Sequence, residues 1–248
     1  LERGSGNFCG VWFETLTRRR FLWLGVSAAA VLAGCGGRAD APPAAPAPDD
    51  RRYGFFFDST RCTACGTCRQ ECQRENGLAP ELALIRFNVV KAGAENRLVW
   101  RQTCLHCTSA ACVKECRDGA TVRGASGLTN FYREKCTACG DCAEVCPFGV
   151  PVLAGSRGSK GRDRLLLRCT GCPDRVGSGQ DTACVTSCPY GALLGGPRAA
   201  LWVTATQRLE EARREIAGAR LYGPGIYGGL GVISLLAAES RRYGLPAG

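Results

Sequence analysis

Sixteen of the eighteen cysteines fall between Cys62 and Cys188, in four groups of four. The first is Cys62, Cys65, Cys68 and Cys72, separated by two, two and three residues. The second is Cys104, Cys107, Cys112 and Cys116, separated by two, four and three. The third, Cys136, Cys139, Cys142 and Cys146, repeats the first spacing and runs into Pro147. The fourth is Cys169 and Cys172, then Cys184 and Cys188 after an eleven-residue spacer, followed by Pro189. Three thiolates at a pitch of two or three residues wrap three corners of an iron–sulfur cube. A fourth, three residues on and opening the next helix, reaches a neighbouring cube. Paired C-x2-C units also hold structural zinc. Zinc, however, has no use for a third cysteine at the same pitch and a fourth three residues beyond it. Four quartets therefore predict four [4Fe–4S] clusters with these sixteen cysteines as metal ligands, and electron transfer as the chemistry.

Charge would otherwise suggest a nucleic-acid partner. The 248 residues carry a formal net charge of +10. Residues 1–35 contain four Arg and two Glu, so the remainder has 28 basic against 20 acidic side chains, +8. An oxidised cube with four thiolates carries about −2, and four of them nearly cancel that excess. Arg61, Arg69, Lys114, Arg117, Lys135 and Arg168 lie beside the quartets, where they are expected to balance cluster charge. With no basic stripe interleaved with aromatics, a nucleic-acid partner is not expected. Iron–sulfur cores also replace much of the apolar core that such loop-rich modules lack.

The N-terminal part reads as export machinery. Thr17-Arg18-Arg19-Arg20-Phe21-Leu22 opens an uncharged run to Ala33. A basic start and a short apolar stretch make a secretory signal, too short for a membrane span. The twin arginines resemble the twin-arginine signal, a route for folded cargo. Clusters are assembled in the cytoplasm, and unfilled thiols would oxidise outside it, so a folded-protein route suits this chain. Leu32-Ala33-Gly34-Cys35 resembles a lipoprotein cleavage box, so Cys35 is expected to carry lipid and tether the protein to a membrane surface. Cleavage without lipidation is the alternative. Residues 36–52, rich in Pro and Ala, read as an extended tether.

Residues 53–196 are the expected cluster domain. Tyr53–Asp58 reads as an aromatic strand entering the first quartet, and Leu84–Val90 with Arg97–Trp100 as a hairpin insertion. His106, the sole histidine, sits inside the second quartet's loop, where hydrogen bonding to or packing on a cluster is expected rather than ligation. Residues 197–248 are expected to form a helix over Gln207–Arg220, with an apolar stripe of Leu209, Ala212, Ile216 and Ala219. A glycine-broken tail that drapes over a surface and docks a partner would follow. Gly223-Pro224-Gly225-Ile226-Tyr227-Gly228 is formally a GxGxxG. A dinucleotide fingerprint follows a strand and opens a helix, whereas this run is expected to follow a helix and carries Pro224 inside the turn.

With all four quartets in view, residues 53–245 resemble the iron–sulfur electron-transfer (β) subunit of molybdenum or tungsten oxidoreductase complexes. They are most similar to that of periplasmic formate dehydrogenases. Cys62-Thr63-Ala64-Cys65 through Asn76, Cys146-Pro147-Phe148-Gly149-Val150-Pro151, and the tail from Leu221-Tyr222-Gly223 to Leu245-Pro246 carry the likeness. The resemblance implies an α+β fold of two nested bacterial-ferredoxin-like two-cluster modules, with the hairpin insertion and the C-terminal helix and tail added. It implies one cluster on Cys62, Cys65, Cys68 and Cys188, and another on Cys169, Cys172, Cys184 and Cys72. The other module would use Cys104, Cys107, Cys112 and Cys146 for one cluster and Cys136, Cys139, Cys142 and Cys116 for the other. The implied partners are a molybdopterin catalytic subunit and a membrane cytochrome or quinone-reducing subunit, on the periplasmic side of a bacterial membrane. The chain itself would be non-catalytic, with no cofactor beyond the clusters; the alternatives are the same wire in a sulfur-compound or nitrite reductase, or a free-standing polyferredoxin carrier. Two positions depart from the pattern: Arg117 follows Cys116, and Thr182 precedes Ala183-Cys184, where the family has proline.

Overall fold

The computed structural model describes residues 45–47, 50–91, 97–155 and 164–247. The export signal, Cys35 and most of the tether lie outside the described residues.

The fold is built on the aromatic strand β1, Tyr53–Asp58. Its side chains alternate between two cores, the period of two that a strand imposes. Phe55 and Phe57 point into one apolar cluster with Trp100, Leu105, Val232 and Leu236, while Phe56 points into another with Leu201, Ala205 and Leu235. A strand covered on both faces tolerates no polar alternation, which is why the sequence reads Phe-Phe-Phe. Burying each ring contributes about 1.5–3 kcal/mol.

The next elements, in chain order, are α1 (Thr67–Glu75), the hairpin β2 (Arg86–Lys91) and β3 (Arg97–Gln102), and α2 (Ala111–Lys114). Then come β4 (Thr121–Arg123) and β5 (Thr129–Phe131), α3 (Asp141–Glu144), β6 (Val152–Ala154) and β7 (Leu165–Leu167). The chain finishes with α4 (Pro173–Gly177), α5 (Ala183–Thr186), β8 (Leu193–Pro197), α6 (Arg198–Arg213), β9 (Arg220–Tyr222) and β10 (Val232–Leu236). The hairpin forms as expected, Arg86 facing Gln102 through to Lys91 facing Arg97.

The central sheet runs β8-β1-β10-β9. β10 lies parallel to β1, with Phe55 beside Val232, and β8 lies antiparallel on the other side, with Phe55 beside Gly195. A parallel pair needs a long crossover. Here the crossover is the whole quartet-bearing stretch together with α6. The sheet thus clasps the cysteine loops on one face and α6 on the other.

Two C-terminal expectations are corrected. The tail is not draped over a surface: residues Val232–Leu236 are wholly buried, in the middle of the sheet. The apolar faces of Val232, Ile233, Leu235 and Leu236 complete both cores, which a surface strap would leave exposed. The helix is Arg198–Arg213 rather than Gln207–Arg220. It begins directly after Pro197 and buries Leu201 and Ala205, one turn apart. It stops early because the chain must turn at Gly218 to lay Arg220–Tyr222 antiparallel on β10. Residues 197–247 therefore share sheet and core with residues 53–196. Among the described residues no helix is long and apolar enough to cross a membrane.

The glycine-rich run after β9 braces the second quartet's loop. The Thr108 N–H donates to the Gly229 carbonyl at 2.8 Å, the Ser109 N–H to Tyr227 at 2.9 Å, and the Gly231 N–H to Leu105 at 2.9 Å. The two backbones are so close that a Cβ on Gly231 would meet the His106 Cβ at 2.7 Å and its carbonyl oxygen at 3.0 Å. Gly231→Ala is therefore expected to cost about 1–3 kcal/mol by overpacking. Anaerobic denaturant unfolding of the cluster-loaded protein measures this as a lowered midpoint at unchanged slope.

Candidate metal centres

Each quartet begins with the same local device. The second residue after its first cysteine sits in the left-handed region: Ala64 (φ 57), His106 (φ 49), Ala138 (φ 56) and Gly171 (φ 77). Three of the four are not glycine, a conformation that costs about 1–3 kcal/mol and persists only where the surroundings enforce it. The turn aims that residue's N–H back at the cysteine. His106 donates to Cys104 Sγ at 3.4 Å, Ala138 to Cys136 Sγ at 3.3 Å, Gly171 to Cys169 Sγ at 3.4 Å, and Ala64 likewise to Cys62. A thiolate is the charged form such a donor favours. The third cysteine of every quartet rides a short helix: Cys68 on α1, Cys112 on α2, Cys142 on α3 and Cys184 on α5.

The described residues contain sixteen free cysteines, these four quartets. Their electrostatic neighbours cut across sequence order. Cys62 feels Cys68 and Cys188. Cys72, from the first quartet, faces Cys184 and Cys172 of the fourth. Cys107 faces Cys104, Cys112 and Cys146, while Cys136 faces Cys116 and Cys139. Asn76 reinforces the first-to-fourth contact, donating to the Cys72 carbonyl at 2.7 Å and accepting from the Thr170 hydroxyl at 3.0 Å. Cys65 and Cys139 lie at the surface. The Thr67 hydroxyl beside Cys65 lowers that thiol's pKa.

Burial, then the neighbouring thiols, pushes Cys72 and Cys107 up to about 12, and burial pushes Cys142 to about 11. Loading iron onto such thiols must expel protons. Among the described residues no three His, Cys, Asp or Glu converge closely enough for a single ion. One ligand set instead surrounds a wider space. Cys104, Cys107, Cys112 and Cys146 line a cavity of about 280 Å³ together with Arg168. A single ion draws its ligands into contact, whereas a cube holds them at the corners of a larger figure, so this donor set fits the cube.

His106 is buried between loops. Its ring stacks on Phe55, centroids 5.3 Å apart, and Nδ1 accepts the Thr129 N–H at 3.1 Å. Burial, aided by Arg168, Arg123 and Arg101, lowers its pKa to about 3. The ring is thus neutral with its proton on Nε2, which lies 3.7 Å from Cys169 Sγ. Backbone and ring of one residue therefore donate to the first cysteines of two quartets. Thr182 also uses what proline lacks. Its N–H donates to the Tyr53 hydroxyl at 3.4 Å, and its own hydroxyl lies 3.4 Å from Cys184 Sγ.

The expected basic residues need correction. Arg61, Arg69, Lys114, Arg117 and Lys135 are exposed, Arg61 pairing with Asp58 at 3.5 Å. Long charged side chains at a loop's edge keep their heads in water. Arg168 alone of the six is buried, its Nη2 3.9 Å from Cys104 Sγ and 3.8 Å from Cys112 Sγ. A second buried guanidinium, Arg101 on β3, hydrogen-bonds Cys68 and was missed. Its only sequence signal is a charge closing the apolar run Leu98-Val99-Trp100.

A family model described as a 4Fe-4S dicluster domain matches residues 96–198, which hold the second, third and fourth quartets. The formate dehydrogenase iron-sulfur subunit of Haemophilus influenzae is 31% identical over 232 residues, covering 81% of this chain and 72% of that one. The formate dehydrogenase-O iron-sulfur subunit of Escherichia coli is 31% identical over 231 residues, 81% and 74% of the two chains. The B subunit of the anaerobic dimethyl sulfoxide reductase of Escherichia coli is 36% identical over 157 residues, 59% and 74%. The class is thus a 4Fe–4S protein. More particularly, the chain belongs to the family of iron–sulfur subunits of molybdoenzyme complexes, the resemblance its quartets carried.

Proposed function

We propose that this chain is a non-catalytic electron wire of four [4Fe–4S] clusters. It would link a molybdopterin catalytic subunit, that of a formate dehydrogenase, to a membrane cytochrome or quinone-reducing partner. The observation that carries the count is the left-handed turn with its N–H aimed at a thiol, repeated in all four quartets. The cross-quartet neighbours support the nested ligand sets: Cys62, Cys65, Cys68 with Cys188, and Cys169, Cys172, Cys184 with Cys72. They support Cys104, Cys107, Cys112 with Cys146, and Cys136, Cys139, Cys142 with Cys116, in the same way.

When bound, the clusters supply the one-electron chemistry. The chain's residues hold the thiolates, exclude water with the two apolar cores, and aim N–H donors at sulfur. The formate assignment rests on length of match, the formate dehydrogenase subunits aligning over 231–232 residues and the dimethyl sulfoxide reductase subunit over 157. The higher identity of the latter favours a second reading, the same wire serving a reductase of sulfur compounds. Residues 1–35 support export by the twin-arginine route and a lipid anchor at Cys35 on the periplasmic side of a bacterial membrane.

Gentle, air-free extraction from membranes tests the partner. The expected result is co-purification with a molybdenum or tungsten subunit and formate:acceptor activity in one peak. Molybdenum without formate activity moves the substrate to the second reading. A lone brown monomer defeats both.

A further inference from the structure

Two arginines are buried where cations are costly. Arg101 is 6% exposed and Arg168 is 1% exposed, and among the described residues the Nε of each has no hydrogen-bond partner. Uncompensated, a buried charge is among the most expensive features a core can hold. Each Nε therefore calls for an acceptor that the described residues do not supply, and each cation for a compensating anion. Their surroundings say where these lie. Arg168 places Nη2 between Cys104 and Cys112, anchors Nη1 on the Thr121 hydroxyl at 3.0 Å, and also acts on Cys142. Arg101 acts on Cys68, Cys184 and Cys169, and on Cys62 and Cys72.

In terms of the proposed ligand sets, each guanidinium faces two clusters of one module. Arg168 faces the set completed by Cys146 and the set completed by Cys116. Arg101 faces the sets completed by Cys188 and by Cys72. Delivery is crossed: Arg101 stands on the strand entering the second quartet, and Arg168 immediately precedes the fourth. Each strand that feeds one module hands its cation to the other.

We propose that Arg101 and Arg168 are positioning residues shared by cluster pairs. Each would donate its free Nε–H into cluster sulfur and hold up the reduction potentials of the two clusters it faces. Reduction adds negative charge, so a fixed cation between two cubes favours the reduced form of both. The inference rests on the four-cluster reading.

The test compares wild type with Arg168→Met, Arg168→Lys and the same changes at Arg101, by iron and sulfide analysis and EPR-monitored redox titration. Arg168→Met is expected to lower two of the four midpoints, shifting their reduced-to-oxidised ratio at fixed poise by tenfold or more, about 59 mV for one electron. Arg101→Met is expected to lower the other two, and lysine to restore most of each shift. Full iron with unmoved midpoints overturns the proposal, as does a shift spread evenly over all four. If Arg168→Met loses iron, loss of half of it with retention in Arg168→Lys supports the proposal. A lysine variant as depleted as the methionine one overturns it, since a cation alone should then suffice. A wild type without four cubes is a separate outcome, and defeats the cluster count instead.

Discussion

Replacing Cys107 and Cys146 together with serine is expected to remove no more iron than replacing either one alone. The two lie in different quartets, yet Cys146 is among the thiols acting on Cys107, and both line the same cavity. If they hold one cube, the first substitution empties it and the second finds nothing left to lose. Cys107→Ser with Cys139→Ser, by contrast, strikes two proposed sets and should remove twice as much, about half the iron. Independent sites add and shared sites do not, which is the logic of a double-mutant cycle. Iron and labile sulfide per chain, measured on air-free preparations, give the result. Additive loss in the first pair would break the nested assignment and leave each quartet serving its own cluster.

The second large effect is on stability. Removing iron from the loaded protein with a chelator under anaerobic conditions is expected to abolish its cooperative unfolding transition. Arg101 and Arg168 would be left buried, Arg101 acting on Cys72 and Arg168 on Cys142, thiols that burial pushes up to about 12 and about 11. An unpaired buried charge costs about 3–5 kcal/mol. Two approach the whole of the roughly 5–15 kcal/mol that holds a typical domain together. The quartet loops also lack an alternative core, since thiols form much of what packs between α2, α3 and β4. Near-ultraviolet circular dichroism before and after chelation reports the change. An iron-free chain with an unshifted midpoint would show that the polypeptide core suffices.

What the sequence made legible was the chemistry. Cysteine spacing is a local property, and the same left-handed turn follows the first cysteine of all four quartets. The hairpin was legible for the same reason, its two strands being neighbours in the chain. β10 was not. Gly229-Leu230-Gly231-Val232 reads as broken apolar surface until Phe55, far earlier in the chain, is laid beside Val232. Nothing local distinguishes a strand that completes a distant sheet from a strap. The start of α6 was hidden likewise, because Leu201 and Ala205 have meaning only against Phe56. Arg101 escaped because β3 looks apolar and a lone charge there reads as a strand's end. His106 was legible as a hydrogen-bonding residue. Its reach to Cys169 depends on the way β5 and the fourth quartet meet, which no spacing encodes.

One measurement bears most directly on the central claim: Mössbauer spectroscopy of the protein purified without air, with iron, sulfide and zinc analysed on the same sample. Four nested cubes predict equal iron and labile sulfide, four of each for every quartet, all in cubane spectra, and no zinc. Zinc in place of iron, or only two cubes per chain, would contradict that claim.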